Sequence, residues 1–232
     1  MKLGVFGGTF NPIHFGHLRV AEETRESLGF DKVLFIPSGN PPLKTSDIAA
    51  ARQRYEMTVR AVSCNNRFEV LDTECRQGKS RSYTVRTLEK LVKIYGNDEL
   101  YLMLGIDAFL DMPKWYQPEK LMSLADFVIF ARPGYRFADL ASSPYLRVAK
   151  GALRKFEAGE AKSVRAEITT GREAALLRVT PLGISATDIR SRIKRGLSIK
   201  YLLPAEIESY IISKKIYALT KQGKATRRRE CL

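Results

Sequence analysis

The chain has 232 residues, 44% of them hydrophobic, and a formal net charge of +14. That length suits one globular domain with an ordinary core, and the absence of an 18-residue apolar run or a signal-peptide pattern predicts a soluble, cytoplasmic protein. The three cysteines, Cys64, Cys75 and Cys231, are odd in number and far apart, which argues against a disulfide framework and for a reducing compartment.

Taken in chain order, the apolar run Leu3 to Phe6 reads as a strand and Leu18 to Leu28 as a helix. Between them stands Gly7-Gly8-Thr9-Phe10-Asn11-Pro12-Ile13-His14-Phe15-Gly16-His17, which contains both histidines of the chain. Asn11 near a cap and Pro12 just inside the start place the helix boundary there. A helix N-terminus presents unpaired N–H groups and partial positive charge, so strand, glycine turn and helix start together form an anion site. His14 and His17 lie three residues apart and share one helix face, so two ring N–H donors can address one phosphate. Two histidines at this spacing are also half of a metal site, but no third histidine and no Cys-x-x-Cys completes it. The turn fits neither the P-loop nor the Gly-x-Gly-x-x-Gly pattern.

Lys32 to Ile36 reads as a second strand, followed by the stiff loop Ser38-Gly39-Asn40-Pro41-Pro42-Leu43-Lys44. Ser46 or Asp47 is placed to cap a helix from Ile48 to about Ser63. Strands are expected at Phe68–Leu71, Leu100–Leu104 and Phe127–Ala131, with a helix from Tyr83 to Tyr95 closed by Gly96. Residues 135–178 carry little pattern: Leu140 to Phe156 reads as an extra basic helix, and the whole stretch as a basic insertion. Ser185 or Thr187 caps a helix ending at Gly196, and an amphipathic helix runs from Pro204 to about Tyr217. Alternating strands and helices imply an α/β fold, a doubly wound and mostly parallel sheet with C-terminal helices, in a single domain over 1–220. The tail 221–232 holds Lys221, Lys224, Arg227, Arg228 and Arg229 against Glu230 and is expected to be disordered. The loops with unusual residues all follow strands, so they converge on one crevice beyond the strands' carboxyl ends.

The glycine turn with its His-x-Gly-His signature, joined to the late Ile184-Ser185-Ala186-Thr187-Asp188-Ile189-Arg190, resembles the nucleotidylyltransferase superfamily with its Rossmann-like fold. With Pro41-Pro42-Leu43-Lys44, Ser82-Tyr83-Thr84, Gly105-Ile106-Asp107, Trp115-Tyr116 and Arg132-Pro133-Gly134 in the same order, the chain is similar to bacterial nicotinate-nucleotide adenylyltransferases from residue 3 to about 218. The resemblance implies transfer of AMP from ATP, with Mg2+, to nicotinate mononucleotide. It assigns His14, His17, Lys44 and Arg190 to catalysis, and Gly7, Gly8, Thr9, Phe10, Gly105, Asp107, Ile184, Ser185 and Thr187 to ATP. Asn11, Thr84, Trp115, Tyr116 and Arg132 fall to nicotinate mononucleotide. Metal would arrive with ATP rather than on protein ligands. Where the family often reads Pro-Pro-His-Lys, this chain has Leu43. Nicotinamide mononucleotide and phosphopantetheine are the alternative acceptors. A basic nucleic-acid-binding module is the alternative of another class; it accounts for the charge but leaves both phosphate elements idle. No membrane partner is expected, and a homo-oligomer is left open.

Overall fold

Eight strands occur along the chain: β1 (Lys2–Gly8), β2 (Lys32–Pro37), β3 (Phe68–Val70), β4 (Glu99–Gly105), β5 (Asp126–Phe130), β6 (Leu146–Arg147), β7 (Ser163–Ile168) and β8 (Glu173–Leu177). Among them run the helices α1 (Phe15–Leu28), α2 (Ala51–Val62), α3 (Thr84–Ile94), α4 (Ile106–Leu110), α5 (Pro118–Leu124), α6 (Ala152–Glu157), α7 (Ala186–Lys194) and α8 (Ala205–Ser213). The computed structural model describes residues 1–41, 47–78, 80–132, 134–149, 151–161 and 163–218. Lys44, with Pro42 and Leu43, and the tail 221–232 lie outside the described residues.

β1 sits at the centre of the sheet because it can be covered on both faces. Leu3, Gly4, Val5 and Phe6 are all buried, the continuous pattern of an interior parallel strand. Val5 faces Leu34 of β2 on one side and Leu102 of β4 on the other, both in parallel register. The full order is β3-β2-β1-β4-β5-β8-β7-β6, with β7 antiparallel to both of its neighbours. The chain winds outward from β1 to β3, then returns to β4 on the opposite side. The gap between the carboxyl ends of β1 and β4 is therefore the topological switch point, where such sheets bind ligands.

Alternation along the strands divides the core into two layers. Val33 and Phe35 of β2 join one layer with Met57 of α2, Ile189 of α7 and Ile207 of α8, while Leu34 and Ile36 join the other with Leu88 of α3, Phe109 of α4 and Leu121 of α5. Helices thus cover both faces. This is the doubly wound, mostly parallel sheet expected from the sequence.

Residues 135–178 differ from the expectation. In place of one helix over Leu140 to Phe156 there is a 3-10 turn at Phe137–Ser142, then β6 and the short α6, whose start is set by Gly151 at φ 85. β7 and β8 form a hairpin closed by Gly171 at φ 85, where the Ile168 N–H donates to the Arg172 carbonyl at 2.7 Å. β7 alternates Ser163, Arg165 and Glu167 outward with Val164, Ala166 and Ile168 inward, a period of two over only six residues beside the short edge strand. α4 and α5 also escape a sequence reading, being only five and seven residues long. α1 begins at Phe15 with His14 as its cap, later than Asn11 and Pro12 suggest, since the Asn11 side chain is bonded elsewhere.

Candidate active site

β1 ends in Gly7 and Gly8, and the chain then turns through Thr9 and Phe10 (φ 44) into a cis Asn11–Pro12 bond. His14, in extended backbone at φ −151, caps α1. Its N–H donates to His17 Nδ1 at 3.3 Å, and the two rings lie 3.8 Å apart, tilted by 34°. With Nδ1 accepting, a neutral His17 carries its proton on Nε2. Gly16 makes this stacking sterically available: a Cβ there would sit 3.0 Å from Cε1 and Nδ1 of His14. The Phe10 ring packs edge-on against His17 with centroids 5.1 Å apart, so it braces the imidazole from inside the core.

His14 is only 5% exposed, and its Nδ1 has no hydrogen-bond partner among the described residues. Burial, reinforced by the positive charge of Arg132, lowers its pKa to about 4. The ring is therefore neutral at physiological pH. It stays a donor or acceptor of hydrogen bonds rather than a cation.

The start of α7 abuts the start of α1, with the Ile184 carbonyl 3.7 Å from where a Gly16 Cβ would lie. Ser185 caps α7, its Oγ accepting from the Asp188 N–H at 3.0 Å, which leaves the hydroxyl proton for another acceptor. One turn further on, Arg190 donates from Nη1 to the Asn11 carbonyl at 2.8 Å and from Nε to Asp47 Oδ2 at 3.0 Å. Its Nη2 lies 3.5 Å from Thr187 Oγ1. The Asn11 side chain is committed: Nδ2 donates to the Asp47 carbonyl, and Oδ1 accepts from the Ala49 N–H and the Tyr217 hydroxyl. Asp47, expected to cap α2, instead directs its carboxylate at α7, and α2 starts at Ala51.

Beneath the turn lies Arg54 of α2, whose side chain is fully buried. It donates to the carbonyls of Thr9 (2.7 Å), Gly39 (2.8 Å) and Ala49 (3.0 Å). The Ser82 hydroxyl in turn accepts from the N–H groups of Gly39 and Asn40 at 3.0 and 3.1 Å, tying the exit of β2 to the start of α3.

The opposite wall comes from β4 and β5. Arg132 Nη1 is 3.3 Å from Asp107 Oδ2, and both side chains fold over Gly105, where a Cβ would lie 2.4 Å from Arg132 Cδ and 2.5 Å from Asp107 Oδ1. Asp107 Oδ1 is buried and has no hydrogen-bond partner among the described residues. Further along, the Tyr83 and Tyr116 rings stack at 4.5 Å and 35°, with the Arg86 guanidinium 5.4 and 5.6 Å from their centroids. Thr84 opens α3 beside them, and Trp115 is partly buried against the core.

Two helix starts and a paired imidazole at a switch point are chemically suited to receive an anion. The Cytidylyltransferase-like family model matches residues 5–192. A probable nicotinate-nucleotide adenylyltransferase of Dictyoglomus thermophilum is 40% identical over 217 residues, covering 94% of this chain and 100% of that protein. The chain belongs to the nicotinate-nucleotide adenylyltransferase family. A probable family member from Geobacter sulfurreducens is 39% identical over 94% of this chain and 99% of its own length. The fold is also that of the Plasmodium falciparum nicotinic acid mononucleotide adenylyltransferase solved with NaAD, at 17% identity and a TM-score of 0.68, over 93% of this chain and 97% of that one.

For a nicotinate-nucleotide adenylyltransferase the structure gathers most of the residues that the sequence singles out. Gly7, Gly8, Thr9, His14, His17, Ile184, Ser185, Thr187 and Arg190 meet at the two helix starts. Gly105, Asp107 and Arg132 form the facing wall, and Arg132 acts electrostatically on His14. Arg54 is the residue that sequence reasoning misses. It shares the inward-facing register of Met57, Thr58 and Ala61 on α2, and an arginine in an apolar register was the available signal.

Because the chain has only two histidines, its imidazole nitrogen signals reduce to two spin systems. The His14 ring is expected to remain neutral on acidification until a midpoint near pH 4, read by 15N NMR; a midpoint at the ordinary 6.5 would refute control by burial. Between those two values the unfolded chain takes up a proton that the folded ring refuses. Folding stability should fall as pH drops through that window.

Proposed function

We propose that this chain transfers AMP from ATP to nicotinate mononucleotide, giving nicotinate adenine dinucleotide and pyrophosphate, through the residues that meet where α1 and α7 begin. The observation that carries this division of labour is the meeting itself, with Gly16 against the Ile184 carbonyl and Arg190 on the Asn11 carbonyl. The acceptor is a phosphate monoester, already anionic, so the reaction needs no strong general base. An acceptor oxygen attacks the α-phosphorus in line, and the bond to the α,β-bridging oxygen breaks as pyrophosphate departs. The enzyme's task is to align the two anions and to spread the charge that grows on the α-phosphoryl oxygens and the leaving group.

His17, with its proton on Nε2, and neutral His14 supply donors to the α- and β-phosphate oxygens. Ser185, Thr187 and Arg190 receive the leaving pyrophosphate, and Lys44 adds a positive charge from a segment outside the described residues. Gly7 and Gly8 let the triphosphate approach the backbone, with the Phe10 ring acting through His17. Asp107, with its unpartnered oxygen, suits a ribose hydroxyl. On the acceptor side, Trp115 and Tyr116 offer faces for the pyridinium ring, and the first-turn N–H groups of α3 at Thr84 receive the carboxylate. Asn11 contributes indirectly, by holding Asp47 and Arg190.

Nucleotidyltransferases of this kind generally use a divalent cation. Among the described residues no three His, Cys, Asp or Glu side chains gather as a metal site. In this reading Mg2+ arrives on the triphosphate, where it would screen phosphate charge. No helix among the described residues is long and apolar enough to cross a membrane. Cys64 and Cys75 are free thiols, in keeping with work in a reducing cytoplasm.

Pyrophosphate release from Mg-ATP, with nicotinate mononucleotide, nicotinamide mononucleotide and phosphopantetheine offered in parallel, is expected to favour the nicotinate form strongly. Preference for another acceptor would keep the phosphate chemistry and overturn the acceptor assignment. His17→Ala should lower kcat roughly a hundredfold, as loss of a transition-state donor does; near-normal turnover would remove His17 from the chemistry. Trp115→Ala should raise the acceptor KM with little change in kcat, whereas an unchanged KM would leave Trp115 as core packing.

A further inference from the structure

Arg190 does not stand with an open guanidinium. Its Nε holds Asp47 Oδ2 at 3.0 Å, and Lys194, four residues along the same helix, holds Asp47 Oδ1 at 2.7 Å. Both oxygens of one carboxylate therefore lie between two cations on one face of α7. Arginine grips carboxylates and phosphates with the same fork of donors, so a seat that fits one anion fits the other. The charges are also unequal. Two cations face a single negative charge, whereas the β- and γ-phosphates of ATP, or free pyrophosphate, bring more than one.

The Asp47 backbone is independently anchored, its carbonyl accepting from Asn11 Nδ2 at 2.8 Å. Its carboxylate can leave the seat by side-chain rotation alone. Burial raises the Asp47 pKa, but the bonds from Lys194 and Arg190 outweigh that and hold it below the usual carboxylate value. The carboxylate is thus ionised at neutral pH and competes as an anion.

Resting on the adenylyl-transfer reading above, we propose that Arg190 and Lys194 together form the seat of the departing pyrophosphate, that Lys194 is a further substrate-positioning residue, and that Asp47 fills this seat as an internal anion until nucleotide displaces it. Occupation from within weakens apparent binding by the fraction of molecules whose seat is open. The same competition speeds the exit of pyrophosphate once the α,β bond has broken.

The test is calorimetric binding of inorganic pyrophosphate to the full chain without acceptor, alongside ATP kinetics. Asp47→Asn keeps the shape, and asparagine accepts the left-handed φ of 59 found at this position. A seat closed about nine-tenths of the time predicts roughly tenfold tighter pyrophosphate binding in this variant, and a lower ATP KM. Lys194→Gln is expected to weaken pyrophosphate binding and raise the ATP KM, each about tenfold, with kcat changed far less. Thermal unfolding confirms that each variant is folded. Weaker or unchanged binding in Asp47→Asn would overturn the proposal and make Asp47 a support that orients Arg190. Unchanged binding in Lys194→Gln would remove Lys194 from the seat. The expected pyrophosphate ranking in a chain that fails to adenylylate nicotinate mononucleotide would overturn the acceptor reading and leave the seat standing. Normal transfer without that ranking would do the reverse.

Discussion

The buried guanidinium of Arg54 sets the terms on which the rest of the site is assembled. Taking such a cation out of water costs several kcal/mol, and no carboxylate among the described residues contacts it. Three carbonyls meet it instead, each worth about 1.5–3 kcal/mol as a charge-assisted hydrogen bond. The two sums are of the same size only when all three bonds are made. Thr9, Gly39 and Ala49 must therefore be brought to one point together, which fixes the exits of β1 and β2 and the approach to α2 as one unit. The planar peptide adds a direction: with the Thr9 carbonyl turned toward Arg54, the Phe10 N–H points away from it.

The electrostatics above this support favour donors over fixed charges. A charged His14 beside Arg132 would add like-charge repulsion in a buried place, and the chain resolves this by keeping the ring neutral. The cations are placed at the periphery, on α7 and at the ends of β5, where they can meet phosphate from outside. Such a layout allows the site to close around several negative charges without first burying several positive ones.

The parts of this design written in the sequence are those with a local period or a local turn. β1, β2, β4 and β5 are runs of consecutive apolar residues, legible because interior parallel strands are covered on both faces. The His-x-Gly-His turn and the cap at Ser185 are equally local. The sequence offers Ser46 or Asp47 as a helix cap because capping is the commonest local use of such residues; the partners of the Asp47 carboxylate lie on α7, 143 residues away for Arg190. Nothing near residue 47 announces them. The β7–β8 hairpin is hard to read for a different reason: its strands are only six and five residues long, and the inward positions of β7 include the small Ala166. Lys44, read from its motif, falls outside the described residues and gains nothing from the structure.

The hydrogen bond from the Tyr217 hydroxyl to Asn11 Oδ1 spans 206 positions of the chain, and the one from Arg190 to the Asn11 carbonyl spans 179. A ribosome adding about 5–20 residues per second needs roughly 10–40 s to travel the longer distance. Once β5 has been added, the nascent chain carries the histidine turn and the central strands β1, β2, β4 and β5. It lacks the second helix start, both of its cations and the phenol that fastens Asn11. Nucleotide chemistry must therefore wait for the last elements to dock, and a growing polypeptide cannot consume ATP before its own synthesis is nearly over.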